Sequence, residues 1–90
     1  MADKISGVVT NVIDGDTFDI NVNWQSPYNK IRYNQSERIR INNTNAPELN
    51  EPGGPRDKDK LKRRIEGKQV NLTIYSRDTY SRLICDVSLA

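Results

Sequence analysis

The chain has 90 residues, of which 34% are hydrophobic and 29% are charged, and its formal net charge is +2. A chain of this length is expected to form one domain over residues 1–90 with a thin core, because short chains bury only about 60–65% of their unfolded surface. It contains no histidine and one cysteine, which excludes internal disulfides, His–Cys zinc sites and histidine-based catalysis.

Neither a secretory signal nor a transmembrane helix is expected. Residues 1–6 lack the apolar core of a signal peptide, and no apolar run approaches the length needed to cross a bilayer. The distribution of apolar residues along the chain therefore predicts no membrane partner. It leaves the cellular compartment and the oligomeric state open.

The first two strands are predicted on either side of an acidic turn. Residues 6–13 are rich in β-branched side chains, and Asp14-Gly15 is a strong hairpin-turn signal. The following segment alternates apolar and polar residues, which predicts a strand with one buried face. That face carries Phe18, Ile20, Val22 and Trp24.

A polar loop over residues 25–36 precedes a third strand, residues 37–43, in which apolar and charged residues alternate again. Ile39 and Ile41 share one face of this strand, and Arg38 and Arg40 share the other. An arginine-bearing face is costly unless it meets water or an anion. Residues 44–55 are rich in turn-forming residues, and loops of this length are often functional.

A helix is predicted from Pro55 to the neighbourhood of Gly67, because proline favours the first helical turn and glycine the end. Its apolar stripe is narrow, with Leu61 and Ile65 one turn apart. The helix is therefore expected to be stable only when it packs against the sheet. Between residues 56 and 68 there are seven basic and three acidic residues, an excess of four. Such a stretch is either a solvated helix face or a surface that attracts polyanions.

Two further strands complete the predicted fold. Alternation places Val70, Leu72 and Ile74 on one face of the fourth strand, and Leu83, Cys85, Val87 and Leu89 on one face of the fifth. Cys85 is thus expected to be a small core residue rather than a nucleophile. Three strands, a helix and two strands predict a β-rich α+β fold, a five-stranded barrel of the OB type.

Four features outside the predicted core carry reactive side chains. Taken alone, each is better explained as an ordinary turn or a solvent-exposed charge than as part of a site. Together they supply what phosphodiester hydrolysis requires, which is a cation, a base and bidentate phosphate donors. The features are the acidic turn with Asp14 and Asp16, the strand residue Arg40, the loop with Asn45 and Glu48, and the turn with Asp78, Tyr80 and Arg82.

The order of these motifs resembles staphylococcal (micrococcal) nuclease and its thermonuclease-like relatives. The similarity covers residues 7–89 and is carried by VIDGDTF, a strand arginine ahead of APE, GP opening a helix, and RDTYSR. The resemblance implies an OB barrel that cleaves DNA and RNA with Ca²⁺ as cofactor. It also implies that nucleic acid is the partner and that the family's C-terminal helices are missing here.

The resemblance assigns roles by position. Asp16 resembles a calcium ligand with Asp14 beside it, Glu48 resembles the general base, and Arg40 and Arg82 resemble the phosphate-binding arginines. Tyr80 resembles the tyrosine that packs near the nucleotide. Asn45 stands where the family has a second calcium-ligand aspartate, which predicts weaker calcium binding, and the segment from Thr17 to Arg40 is longer than in the staphylococcal protein.

Two other functions remain open. The chain could be a catalytically weak or inactive OB-fold module that binds nucleic acid or protein. A nucleic acid would be bound by the basic helix, the two arginines and base stacking on Tyr28, Tyr33 or Tyr80. It could also be a structural barrel that binds neither metal nor oligonucleotide.

Overall fold

The computed structural model describes residues 2–44, 46 and 49–90, and these residues form a closed barrel of five strands with one helix. The strands follow the order β1-β2-β3-β5-β4 around the barrel. The predicted OB-type layout, with a helix between the third and fourth strands, is therefore confirmed. The elements are β1 (Asp3–Asp14), β2 (Thr17–Gln25), β3 (Ser36–Ile41), α1 (Gly54–Ile65), β4 (Gln69–Arg77) and β5 (Leu83–Leu89).

The core fills the inside of this barrel with the alternating residues of each strand. Phe18, Ile20 and Ile39 are fully buried, as the period-two pattern predicts. Cys85 is also fully buried, and burial raises the pKa of its thiol to about 12. The prediction that Cys85 is a core residue is confirmed, because a thiol with so high a pKa is a poor nucleophile at neutral pH.

Strand β1 bends so that it can pair with two neighbours. Residues 3–8 pair with β4 and residues 5–14 pair with β2, with a register shift between Ser6 and Gly7. A Cβ atom at Gly7 would collide with the backbone carbonyl oxygen of Asn21 on β2. Glycine is thus required where the two backbones approach most closely.

Helix α1 is docked on β1 through its C-terminal end. Ile65 is buried and Leu61 packs against the core, which confirms the predicted stripe. Gly67 adopts a φ of 75° just beyond the helix, a conformation that favours glycine. Its N–H donates to the carbonyl oxygen of Val9 at 2.9 Å, and the N–H of Val9 donates to that of Lys68 at 3.0 Å.

The ends of β2 and β5 differ from the sequence expectation. Trp24 and Leu89 were predicted to be buried but are 48% and 50% exposed. Both residues lie near the ends of strands that run past the barrel interior. At the register shift, Ser6 pairs with Trp24 and Gly7 pairs with Val22, so β2 has one extra residue there and the alternation changes phase before Trp24. The β2–β3 loop contributes a core residue of its own, Tyr33, which is 7% exposed.

The β2–β3 loop, residues 26–35, folds back over the start of β1. The hydroxyl of Tyr33 donates to Asp3 Oδ2 at 2.7 Å, and the N–H of Lys30 donates to Asp3 Oδ1 at 3.0 Å. These hydrogen bonds, led by that of Tyr33, lower the pKa of Asp3. Asn29 adds a reciprocal pair of hydrogen bonds with the backbone of Lys4, so the loop closes this end of the barrel.

Helix α1, with 12 residues and three basic side chains in its last turn, is neither long nor apolar enough to cross a membrane.

The close approach of β1 and β2 predicts the effect of adding one methyl group. Gly7→Ala is expected to lower the free energy of unfolding by about 1–3 kcal/mol, because backbone atoms must move to admit the Cβ. Asn11→Ala, at an exposed position of β1, is expected to stay within about 0.5 kcal/mol of the parent. Urea denaturation measures the stability of both variants. Equal stability of Gly7→Ala and the parent would contradict the close backbone contact at Gly7.

Candidate functional site

The acidic turn joins β1 to β2 and holds two carboxylates close together. Asp14 and Asp16 are 8% and 6% exposed. The N–H of Asp16 donates to Asp14 Oδ1 at 3.1 Å, and the hydroxyl of Thr17 donates to Asp16 Oδ1 at 3.0 Å. The N–H of Ala46 donates to Asp16 Oδ2 at 3.3 Å, which brings the loop after β3 against the turn.

The two carboxyl groups have different proton affinities. Burial and the proximity of Asp16 raise the pKa of Asp14. Burial also acts to raise the pKa of Asp16, but hydrogen bonds from Asp14, Thr17 and Ala46 and the charge of Arg40 outweigh it, so that pKa is lowered. Asp16 is therefore the first of the pair to ionise as the pH rises.

Arg40 lies directly beside this turn because β3 pairs with β2. Thr17 and Arg40 are partners in the register, and Arg40 Nη2 is 3.5 Å from Asp16 Oδ2. The same nitrogen donates to the carbonyl oxygen of Thr44 at 3.3 Å. Among the described residues no hydrogen bond occupies Arg40 Nε or Nη1, so these donors have no partner there.

The arginine face of β3, which the sequence predicts will meet water or an anion, carries two ion pairs. Arg38 forms a two-point ion pair with Asp19, at 2.8 and 3.2 Å. Arg40 meets Asp16 at the longer distance given above. Arg38 is thus satisfied by its own pair, whereas Arg40 is held more loosely.

The donor chemistry of the turn suits a hard divalent cation, since Ca²⁺ and Mg²⁺ prefer carboxylate oxygens. Asp14 and Asp16 supply such oxygens from one turn. Across residues 2–44, 46 and 49–90, no group of three or more acidic or thiol side chains is placed to hold a metal ion. Asn45 lies outside the described residues, so the turn contributes two carboxylates and further ligands must come from elsewhere.

The β4–β5 turn, residues 78–82, is organised around Asp78. Its Oδ1 accepts the N–H groups of Tyr80 at 3.0 Å and Arg82 at 2.8 Å, and its Oδ2 accepts Arg82 Nε at 2.7 Å. Burial acts to raise the pKa of Asp78, but the hydrogen bonds and charge of Arg82 lower it. Ser81 takes a left-handed φ of 65°.

Arg82 stacks on an exposed ring in this turn. Its Cζ lies 5.3 Å from the ring centre of Tyr80, a cation–π distance, and Tyr80 is 79% exposed. Within the described part of the chain, no hydrogen bond occupies the terminal nitrogens of Arg82. Those nitrogens and the open face of the ring are thus available to a ligand.

The parallel pairing of β3 with β5 relates the two arginines. Arg40 is the register partner of Ile84, and Arg82 precedes Ile84 by two residues, about 7 Å along the strand. The two arginines therefore come from adjacent strands of the same part of the barrel wall.

The structure thus brings Asp14, Asp16 and Arg40 into one cluster, with Arg82 and Tyr80 on the neighbouring strand end. Asn45 and Glu48 lie outside the described residues, so their predicted roles stay predictions. Tyr33, considered for base stacking, is instead a core residue with its hydroxyl bound to Asp3, because it fills the end of the barrel.

An ion pair between a buried carboxylate and a partly exposed arginine, which local sequence patterns did not reveal, supports the β4–β5 turn. Glu37 is 4% exposed, and it accepts two hydrogen bonds from Arg77, at 3.0 and 3.1 Å. Arg77 also donates to the carbonyl oxygen of Ser81 at 2.9 Å. The sequence does carry a sign of the burial of Glu37, because this residue has the same alternation phase as Ile39 and Ile41 and so points into the barrel.

No protein-family model matches the sequence. The chain is similar to a protein of Escherichia coli O157:H7 named "Uncharacterized endonuclease", with 32% identity over 83 residues that cover 92% of this chain and 48% of the relative. A protein of the same name from Escherichia coli has the same identity and coverage. The chain thus spans about half the length of the curated relatives that it matches.

The buried pair predicts an asymmetric response to substitution. Arg77→Met is expected to lower the free energy of unfolding by about 2–3 kcal/mol, because the buried carboxylate of Glu37 loses its counter-charge and keeps only hydrogen bonds from Asn34. The double variant Glu37→Gln/Arg77→Met, which buries no charge, is expected to be more stable than Arg77→Met alone. Chemical denaturation of the three variants measures this, and a double variant less stable than Arg77→Met would contradict it.

Proposed function

We propose that this chain is a nuclease-like hydrolase that cleaves phosphodiester bonds in single-stranded or unstructured DNA or RNA, with Ca²⁺ as cofactor. The observation that carries the proposal is the cluster in which Arg40 Nη2 lies 3.5 Å from Asp16 Oδ2 on the acidic turn. The similarity to two proteins named as endonucleases supports nuclease activity in general.

In the proposed reaction, a water oxygen attacks phosphorus. Glu48 accepts the proton of that water, and the new P–O bond forms while the bond to the leaving oxygen breaks. Arg40 and Arg82 donate to the non-bridging oxygens, where negative charge accumulates in the transition state. Guanidinium groups suit this role because they offer paired donors in a fixed plane.

Calcium bound by Asp16 and Asn45, with Asp14 beside them, would neutralise negative charge on the phosphate. Asn45 offers a carbonyl oxygen without a charge, so calcium binding is expected to be weaker than at a site with a third carboxylate. The lowered pKa of Asp16 keeps one ligand ionised at neutral pH.

A second function, binding without cleavage, is favoured by the exposed aromatic rings. Tyr28 is 88% exposed and Tyr80 is 79% exposed. Base stacking on such rings binds single strands with little sequence preference. In this case oligonucleotide binding would weaken steeply with salt, and no product would form at any calcium concentration.

Cleavage of a fluorescent single-stranded oligonucleotide across a Ca²⁺ titration separates the two functions. The parent is expected to cleave in a calcium-dependent way, and Glu48→Ala is expected to lose at least ~100-fold in rate, the usual contribution of a general base. Calcium binding by calorimetry provides a readout that does not depend on activity.

Glu66→Ala is the matched control, because Glu66 is an exposed carboxylate at the far end of α1, with Lys62 at 3.9 Å. It should retain the parent rate, and circular dichroism should show the same fold in all three proteins. Equal rates in Glu48→Ala and the parent would refute the role of Glu48. Absence of cleavage in the parent up to millimolar calcium would favour the binding module.

A further inference from the structure

We propose that one flank of α1, the row formed by Arg56, Lys60 and Arg64, binds the sugar-phosphate backbone of a nucleic-acid strand beside the acidic turn. This inference rests on the proposed function, which it extends from the reacting phosphate to the neighbouring ones.

The three residues form a continuous row along the helix. They are four residues apart, so they lie one above another on the same flank and span about 12 Å of helix at 1.5 Å per residue. All three side chains are exposed. Among the described residues, none of them has a carboxylate within ion-pair distance. The row is therefore a set of exposed cations that form no ion pair with a described residue.

The row passes directly beside the acidic turn. Gly15, which separates Asp14 from Asp16, lies so near the helix that a Cβ on it would be 2.8 Å from the Cβ of Asp57. A shallow cleft of about 160 Å³ lies at this contact, and its lining residues are Gly15, Asp57, Lys60, Leu61 and Arg64. Lys60 and Arg64 thus border the same surface as the turn that carries the two carboxylates.

The charge of this surface suits a polyanion. Within the cleft one carboxylate, Asp57, faces two cations, Lys60 and Arg64, and Arg56 extends the row by one further positive charge. A strand that approached the buried carboxylates of the turn would need cations nearby to offset their repulsion. Lysine and arginine contacts to phosphates supply that attraction without reading the base sequence.

The opposite flank of the same helix provides a charge-matched comparison. Lys58 and Lys62 lie four residues apart on this flank, because the helical rotation of 100° per residue sets each of them about 160° from Lys60. Lys62 already has Glu66 at 3.9 Å. Removing Lys58 and Lys62 takes away two positive charges from the same helix, as removing Lys60 and Arg64 does.

The test compares Lys60→Gln/Arg64→Gln with Lys58→Gln/Lys62→Gln in the 90-residue chain. Binding of a fluorescent oligothymidylate is measured by anisotropy over a range of salt concentrations, with EDTA present to prevent cleavage. The row predicts that the first variant loses about 1.4 from the slope of log affinity against log salt, since each phosphate contact on a single strand contributes about 0.7. Its affinity at low salt should fall about tenfold, and the second variant should stay within about twofold of the parent.

Three outcomes would overturn the inference. Equal losses of affinity in both variants would show that binding depends on the net charge of the protein and not on the row. An unchanged salt slope in Lys60→Gln/Arg64→Gln would show that the row does not contact the oligonucleotide. Tighter binding of the parent to anionic lipid vesicles than to the oligonucleotide would assign the row to a membrane surface. Thermal unfolding of both variants checks that the fold is intact.

The design also separates this inference from the proposed function. A parent that binds and cleaves the oligonucleotide, with Lys60→Gln/Arg64→Gln unchanged in both respects, refutes the row and leaves the proposed function standing. A parent that neither binds nor cleaves refutes both.

Discussion

The parallel pairing of β3 with β5 is the contact on which the rest of the structure depends. The four antiparallel pairs alone would leave an open sheet in the order β3-β2-β1-β4-β5. The β3–β5 pair joins the two edges of that sheet and so closes the barrel, and it aligns Arg40 with Ile84. Two segments far apart in sequence, the strand with Arg40 and the turn with Arg82, therefore become neighbours. The β2–β3 pairing then sets Arg40 opposite Thr17, beside the acidic turn. Barrel closure and assembly of the candidate site are in this sense one event.

A thin core makes buried polar pairs important in so short a chain. Glu37 on β3 is paired with Arg77 at the end of β4, and Asp3 on β1 is paired with Tyr33 in the β2–β3 loop. Arg77 reaches on to the carbonyl of Ser81, so the β4–β5 turn is fastened to the interior. The longer β2–β3 loop is held by Asp3 in the same way. Such pairs specify one arrangement, since a buried charge that loses its partner is costly.

The fold and the outline of the site could be predicted from the sequence, whereas the strand ends and the polar pairs could not. Alternation identified Ile39 and Val70 as core residues because their neighbours in sequence are polar. It misplaced Trp24 because the extra residue of β2 at the register shift changes the phase of the alternation before Trp24. Tyr33 was unpredictable, since its burial depends on a long loop folding back onto Asp3. Glu37 had the right phase, but its partner Arg77 is 40 residues away, and local patterns do not specify such pairs.

The central claim is that Arg40, next to Asp16, holds the phosphate through paired guanidinium donors. The most direct measurement is the rate of oligonucleotide cleavage by Arg40→Lys, which keeps the charge but removes the planar fork. Arg38→Lys, on the same strand face and bound to Asp19, is the control. We expect Arg40→Lys to lose about 100-fold or more in rate and Arg38→Lys to stay near the parent. Parent-like cleavage by a correctly folded Arg40→Lys would contradict the account.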